Sequence, residues 1–141
     1  MILIIHTAEK DKIAIGLSSD DGDLIFRKNF SAQFDHAEKL LPAIDSLLKE
    51  SESTLKDLAG IIVVSGPGGF TALRIGVITA NTLAYTLAVP LAGVKLSEFS
   101  NFDKLAKVGL RRLKKSNKQS LILPYYGRPP HITKPKNKLW S

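Results

Sequence analysis

The chain contains no cysteine. That absence excludes a scaffold held by disulfides and any zinc site that depends on thiolate ligands. The fold must therefore rely on a hydrophobic core, and 141 residues, of which 44% are hydrophobic, suffice for one core and hardly for two. This composition fits a single folded unit in a reducing compartment, and we expect the protein to be cytoplasmic.

Runs that are long enough to enter a membrane are also scarce. The apolar stretch 1–5 lacks a preceding basic region and is too short for a signal peptide. Residues 75–94 carry no charge and are long enough to cross a bilayer, but they include several threonines, an asparagine and a proline. A buried helix followed by a strand explains that mixture better, so we expect a soluble protein without a membrane partner.

Acidic residues are missing from the last part of the chain. All 13 Asp and Glu lie before residue 104, where nine Lys and Arg leave a net charge of −4, whereas the eleven Lys and Arg that follow give +11. Such a segment indicates either a solvated surface or a contact with a polyanion or an acidic protein. The basic residues that are candidates for that contact are Arg111, Arg112, Lys114, Lys115 and Lys118.

Hydrophobic periodicity predicts an α/β fold. The first predicted strand is apolar on both faces, and the second and third alternate in polarity. Short turns join the three, and this arrangement is typical of an antiparallel meander. Asp35 can cap the first helix, and Pro42 inside it predicts a kink near Glu38 or an irregular first turn. The predicted elements, in chain order, are strands over 1–6, 12–18 and 24–30, a helix over 35–50, a central parallel strand over 60–64, a helix over 71–88, a strand over 90–94, a helix over 97–118 and an edge strand over 120–126.

The second predicted helix has a small residue at every fourth position. A stripe of this kind lets another backbone come close. It indicates either tight packing of the helix on its own sheet or a helix-to-helix surface for a partner, and the pattern alone does not decide between them. The stripe consists of Ala72, Gly76, Ala80, Ala84 and Ala88.

A glycine-rich turn connects the central strand to the second helix. A strand, a glycine turn and a helix N-terminus together are typical of an anion site, because free amides and the helix dipole point to one place. The turn lacks the lysine of a P-loop and the spacing of a dinucleotide fingerprint, so a plain tight connection explains it better. Its residues are Gly66, Pro67, Gly68, Gly69, Phe70 and Thr71.

Longer strings resemble the TsaB (YeaZ) family, the bacterial partner proteins in the synthesis of threonylcarbamoyladenosine on tRNA. Residues 63–77, with the string GPGGFTALRIG, resemble the family signature GPGSFTGLRIG, and residues 36–42 resemble its helix motif H-[ST]-E-x-L-L-P. Residues 91–94 are similar to the strand after its second helix, and residues 128–133 to its C-terminal end. These matches have the family's order and compatible spacing.

The resemblance implies a ribonuclease-H-like, actin-ATPase-type lobe. Such a lobe is an α/β unit with a mixed five-stranded sheet in the order 3-2-1-4-5 and flanking helices. We expect residues 1–100 to form this TsaB-like lobe. Family members carry a second lobe of comparable size, and we expect the short basic segment 101–141 in its place.

Two positions depart from related proteins. His6 stands where TsaB-like chains carry an aspartate, and a histidine is not a hard oxygen ligand for the magnesium of a nucleotide. Leu40 stands where the resemblance to the catalytic paralogue, TsaD, places a second metal-binding histidine, four residues after His36. We therefore expect no metal, no catalytic residue and no cofactor, with ATP bound only at an interface shared with a partner.

The resemblance implies a non-catalytic scaffold that pairs with a TsaD-like enzyme through the first two helices. A TsaE-like ATPase is a candidate additional partner, and a second copy of the chain is the alternative partner in isolation. The basic segment is the candidate contact to tRNA. The residues expected at the helical interface are His36, Leu40, Leu41, Ile44, Ala72, Gly76, Ala80 and Ala84.

Two other function classes compete with the scaffold. A small nucleotide-dependent phosphotransferase would use the glycine turn, but it lacks the first-strand aspartate and the second lobe. A peptidase is suggested by the family's historical glycoprotease label. No cysteine, paired histidine ligands or nucleophile elbow in the sequence supports that label.

Overall fold

A computed structural model of the chain describes residues 1–116 and 121–125. Its centre is one five-stranded sheet, whose strands are β1 (Ile2–His6), β2 (Lys12–Ser18), β3 (Leu24–Ser31), β4 (Gly60–Gly66) and β5 (Leu91–Lys95). The order across the sheet is β3-β2-β1-β4-β5. β1, β2 and β3 pair antiparallel, whereas β1, β4 and β5 pair parallel. The predicted mixed sheet and its strand order are confirmed.

Three helices flank the sheet, namely α1 (His36–Glu50), α2 (Phe70–Leu87) and α3 (Phe102–Leu113). α1 runs without a break through Pro42. Asp35 occupies the N-cap position of α1, but its carboxylate accepts a hydrogen bond from the Gln33 N–H at 2.8 Å instead of capping the helix. The position of the helix start was therefore predictable, while the capping contact was not.

The last elements differ from the prediction. The expected helix over 97–118 consists of a 3₁₀ turn, Leu96–Glu98, and the separate α3, which begins after Asn101 because that side chain accepts a helix N–H. The predicted edge strand over 120–126 is wrong for residues 121–125, which have no regular secondary structure. Their backbone groups bond to a side chain and to one carbonyl instead of a strand ladder.

The helices cover opposite faces of the sheet. Side chains alternate along β1, and Thr7 directly follows its last residue, so Ile4 and Thr7 lie towards opposite faces of the sheet. A Cβ on Gly76 of α2 would overlap Thr7, whereas a Cβ on Gly109 of α3 would overlap Ile62, which is the register partner of Ile4. α2, together with α1 beside it, therefore lies on one face, and α3 lies on the other.

The core lies between these layers. Every residue of β1 and β4 is buried, and α3 adds the fully buried Leu105 and Ala106. Truncating one large core side chain to alanine typically costs about 2–5 kcal/mol of stability. α3 thus shares the core of residues 1–100, while the replacement of a second lobe by residues 101–141 stays a prediction. Within the described ranges no helix is both long and apolar enough to span a bilayer.

Candidate functional site

A cleft opens where three chain segments lie beside one another. The first segment is the turn between β1 and β2, the second is the approach to α1, and the third is the start of α2. The cleft has a volume of about 360 Å³. Two motifs singled out in the sequence, the histidine at the start of α1 and the glycine turn, therefore meet at one place. The lining residues are Glu9, Lys10, Asp11, Phe34, His36, Gly69, Thr71, Ala72 and Ile75.

Two glycines of the turn make close backbone contacts. A Cβ on Gly68 would lie 2.6 Å from the carbonyl oxygen of Ala8. Gly66 has a φ of +128°, which side chains rarely adopt, and a Cβ there would overlap the carbonyl oxygen of Tyr125. Packing explains both glycines, as expected of a tight connection.

His6 is buried at the end of β1, as expected for a histidine at a strand end. Its Nδ1 accepts a hydrogen bond from the Ala8 N–H at 3.2 Å, and its ring lies edge-on to Phe99 with centroids 5.9 Å apart. Burial lowers the pKa of His6, and the carboxylate of Glu9, 3.7 Å from Nε2, opposes that effect only in part. A neutral imidazole therefore orders the turn that lines the cleft.

His36 is the first residue of α1 and is buried. Its Nε2 has no hydrogen-bond partner within the part of the chain that the structure describes. Leu40, one turn later, lies in the hydrophobic core. Across residues 1–116 and 121–125, no three His, Asp or Glu side chains are grouped so that they could hold a metal ion. The start of α1 thus presents one imidazole followed by an apolar side chain.

The small-residue stripe of α2 packs on the chain's own sheet. Gly76 lies so close to Thr7 that a Cβ would overlap the threonine hydroxyl, and Ala80 is fully buried. Gly76 and Ala80 therefore hold α2 against the rest of the fold, and a partner contact through this stripe stays a prediction. Leu41 is exposed and Ala72 half-buried. The predicted interface residues that are buried are His36, Leu40, Ile44, Gly76, Ala80 and Ala84.

Sequence reasoning named Leu41 but missed three other exposed apolar side chains on or next to the same two helices. Phe34, just before α1, is 103% exposed and Leu41 is 55% exposed, while Ile78 and Tyr85 of α2 are 57% and 86% exposed. Ile78 and Tyr85 are seven residues apart and share one face of α2. We call these four residues the two-helix surface. The sequence pattern that could have revealed them is the helical spacing of Ile78 and Tyr85, next to the small-residue stripe.

One candidate from the basic segment has a structural contact. Arg112 of α3 donates from Nη1 to the Gly93 carbonyl at 2.8 Å and forms a two-pronged ion pair with Glu98. The guanidinium lowers the pKa of Glu98 to about 2. Arg112 therefore fastens α3 to β5, while its predicted contact with a polyanion or an acidic protein stays a prediction. Of the other candidates, Arg111, Lys114 and Lys115 are exposed, and Lys118 lies outside the described residues.

The family model described as TsaD, tRNA N6-adenosine threonylcarbamoyltransferase, matches residues 31–120. The chain is 41% identical to the tRNA threonylcarbamoyladenosine biosynthesis protein TsaB of Bacillus subtilis, across 45% of this chain and 28% of that protein. It is 34% identical to the tRNA N6-adenosine threonylcarbamoyltransferase of Vesicomyosocius okutanii, across 60% of this chain and 29% of the transferase.

A solved structure agrees with these sequence matches. YeaZ from Pseudomonas aeruginosa superposes with a TM-score of 0.61 at 28% identity, across 67% of this chain and 43% of YeaZ. The chain therefore spans less than half the length of each of these three proteins. The region shared with YeaZ is similar in fold as well as in sequence.

Proposed function

Because the chain belongs to the TsaB/YeaZ family, within the wider family that the TsaD model describes, we propose that it is a non-catalytic subunit that binds a TsaD-like enzyme and supports threonylcarbamoyladenosine synthesis on tRNA. One relative is named as a biosynthesis protein for this nucleoside and another as the transferase. The proposal assigns the chemistry to the partner and a binding surface to this chain.

The two-helix surface carries the proposal. Each Å² of apolar surface that a partner covers contributes about 25 cal/mol, and large aromatic side chains such as Tyr85 are enriched among residues that dominate interfaces. α1 and α2 contact each other, and small buried residues hold α2 against the sheet. The exposed side chains are therefore presented by a preorganised pair of helices, which lowers the entropic cost of binding.

The donor atoms near the cleft support a partner role over an enzyme. His6 is buried and its Nδ1 accepts the Ala8 N–H. An imidazole carries no oxygen, which is the ligand atom that magnesium prefers. His36 is followed one turn later by Leu40, where a second imidazole would be needed for a histidine pair. Both positions suit a structural role.

Charge substitution on the two-helix surface tests the proposal. We expect Tyr85→Asp to weaken binding of a TsaD-like enzyme from the same source at least about tenfold, because it places a charge where an apolar contact forms. Isothermal titration calorimetry measures the affinity. Ile25→Asp is the matched control, since Ile25 is 51% exposed on β3, away from this surface. Equal affinity for both variants and the wild type would contradict the proposed interface.

A nucleotide-dependent enzyme is a second candidate, and the cleft is the observation that favours it. Lys10 and Thr71 both line the cleft beside the start of α2, where a helix dipole favours an anion. Thr71→Val removes the hydroxyl while keeping the shape of the side chain. ATP turnover by the purified chain alone that is lost in Thr71→Val would favour the enzyme over the scaffold.

A further inference from the structure

Residues 121–125, which we call the latch, lie in a groove beside α2. Gly93 of β5 forms the floor of the groove, because it pairs with Val63 and through it with Ile5, on the face that α2 covers. α2 packs mainly on β4, so it leaves this face of β5 open. A Cβ on Gly93 would lie 2.9 Å from Ile122, whose side chain packs against the core.

Asn81 of α2 holds the backbone of the latch. Its Nδ2 donates to the Ile122 carbonyl at 2.8 Å, and its Oδ1 accepts from the Ile122 N–H at 3.0 Å. A further bond from Nδ2 to the Val77 carbonyl, at 2.8 Å, fixes the orientation of the amide. One side chain thus pairs both polar backbone groups of a latch residue, as a neighbouring strand would do.

The other end of the latch is held at the end of β4. The Tyr125 N–H donates to the Ser65 carbonyl at 2.7 Å, and Gly66 leaves room for the Tyr125 carbonyl. The ammonium of Lys95 lies 4.3 Å from the centroid of the Tyr125 ring, within the range of a cation–π contact. Three backbone hydrogen bonds and two side chains, those of Ile122 and Tyr125, therefore fix the segment.

We propose that this groove is a binding site for an extended peptide and that the latch is the ligand that the chain supplies to itself. Leu121 and Leu123 are 69% and 70% exposed, so the latch is held at a few points and is not part of a continuous core layer. It can leave the groove while the sheet and the helices stay folded. The contacts described above are all made by residues 121–125, so the latch of a second copy fits the vacated groove.

Amide hydrogen exchange on the full-length chain tests whether the latch opens separately. We expect the N–H groups of Ile122 and Tyr125 to exchange faster than those of β4, and Asn81→Leu to speed them at least about fivefold by removing two hydrogen bonds. Thr82→Val, an exposed neighbour on α2, is the control and leaves the rates unchanged. Latch rates equal to those of β4, or unaffected by Asn81→Leu, would overturn the proposal.

Binding in trans tests the groove itself. The probe is a fluorescent peptide with the sequence of residues 119–127, added to the full-length Ile122→Asp chain, whose own latch is weakened and whose groove is intact. We expect this variant to bind the peptide at least about tenfold more tightly than either the wild type or Ile122→Asp combined with Asn81→Leu. Equal affinity for the three chains would overturn the proposal. If Ile122→Asp does not fold, Ile122→Ala takes its place in the same comparison.

Discussion

A buried imidazole stands at the end of β1 and holds a turn in place. Because His6 is buried and its Nδ1 accepts from the Ala8 N–H, the neutral ring is the form that the fold favours. The turn that it orders carries Glu9, Lys10 and Asp11 into the lining of the cleft. The histidine that departs from related chains is thus integrated into the local structure.

Acid should destabilise the chain through this residue. Burial lowers the pKa of His6 in the folded state. As the pH falls below the ordinary value of 6.5, the unfolded chain therefore binds more protons than the folded chain. The free energy of unfolding should therefore fall from that pH down to the folded pKa and then level off. Urea denaturation across this range measures it, and His6→Gln should remove this component. Identical pH dependence in the wild type and the variant would contradict the role given to His6.

At the scale of elements, α3 is fastened to β5 by the ion pair of Arg112 with Glu98. The same guanidinium reaches the Gly93 carbonyl, so one side chain joins a helix to the edge strand of the sheet. The pair is partly exposed, with 42% and 28% of the two side chains accessible, and solvent screens it.

Glu98→Gln should weaken the fold by about 1 kcal/mol near neutral pH, less than the full pKa shift implies because of that screening. The folded pKa of about 2 lies below the ordinary value of 4.5, so this contribution is present above 4.5 and is lost as the pH falls toward 2. Thermal unfolding of the wild type and the variant at neutral pH and in acid measures it. A stability difference that persists unchanged in acid would rule out this pairing as its source.

The elements with one strong pattern were predictable from the sequence. The apolar run over residues 60–64 and the stripes of α1 and α2 each match a single periodicity, and the structure has a strand or helix at each. Residues 121–125 were predicted as a strand because their pattern is short and apolar, but Asn81 and Ser65 pair their backbone instead. Such contacts join residues far apart in the chain and leave no local pattern.

In the candidate site, too, features with a local sequence pattern were predictable and contacts between distant residues were not. The position of the glycine turn between β4 and α2 was predictable because its string is local, and Gly69 and Thr71 of this turn line the cleft together with His36. The exposed residues Ile78 and Tyr85 were missed, since a helical pattern does not say which of its faces the sheet covers. Arg112 was assigned to the basic surface because its partner, Glu98, lies fourteen residues earlier and outside its own helix.

At the scale of the whole molecule, the net charge of +7 is unevenly distributed along the chain. The exposed Arg111, Lys114 and Lys115 lie at or just beyond the end of α3. Contact of these three cations with tRNA phosphates stays a prediction that salt dependence can test. Arg112 is left unchanged in that test, since its loss would loosen α3.

Neutralising these three cations to glutamine should make the plot of log affinity for tRNA against log salt shallower by about 2 to 3, because each phosphate contact contributes about 0.9 to the slope. Titrations of tRNA into the complex with a TsaD-like enzyme, at several salt concentrations, give the slope. Lys56→Gln, exposed on the turn before β4, serves as the control. An unchanged slope in the triple variant would place the tRNA contacts elsewhere.

The partner-subunit role is tested most directly by measuring threonylcarbamoyladenosine formed on tRNA by a TsaD-like enzyme from the same source, with and without this chain. We expect the chain to raise the rate in proportion to the complex formed, Tyr85→Asp to raise it less at equal concentration, and the chain alone to form no product. A rate that is unchanged by the chain, or product formed by the chain alone, would contradict the assignment.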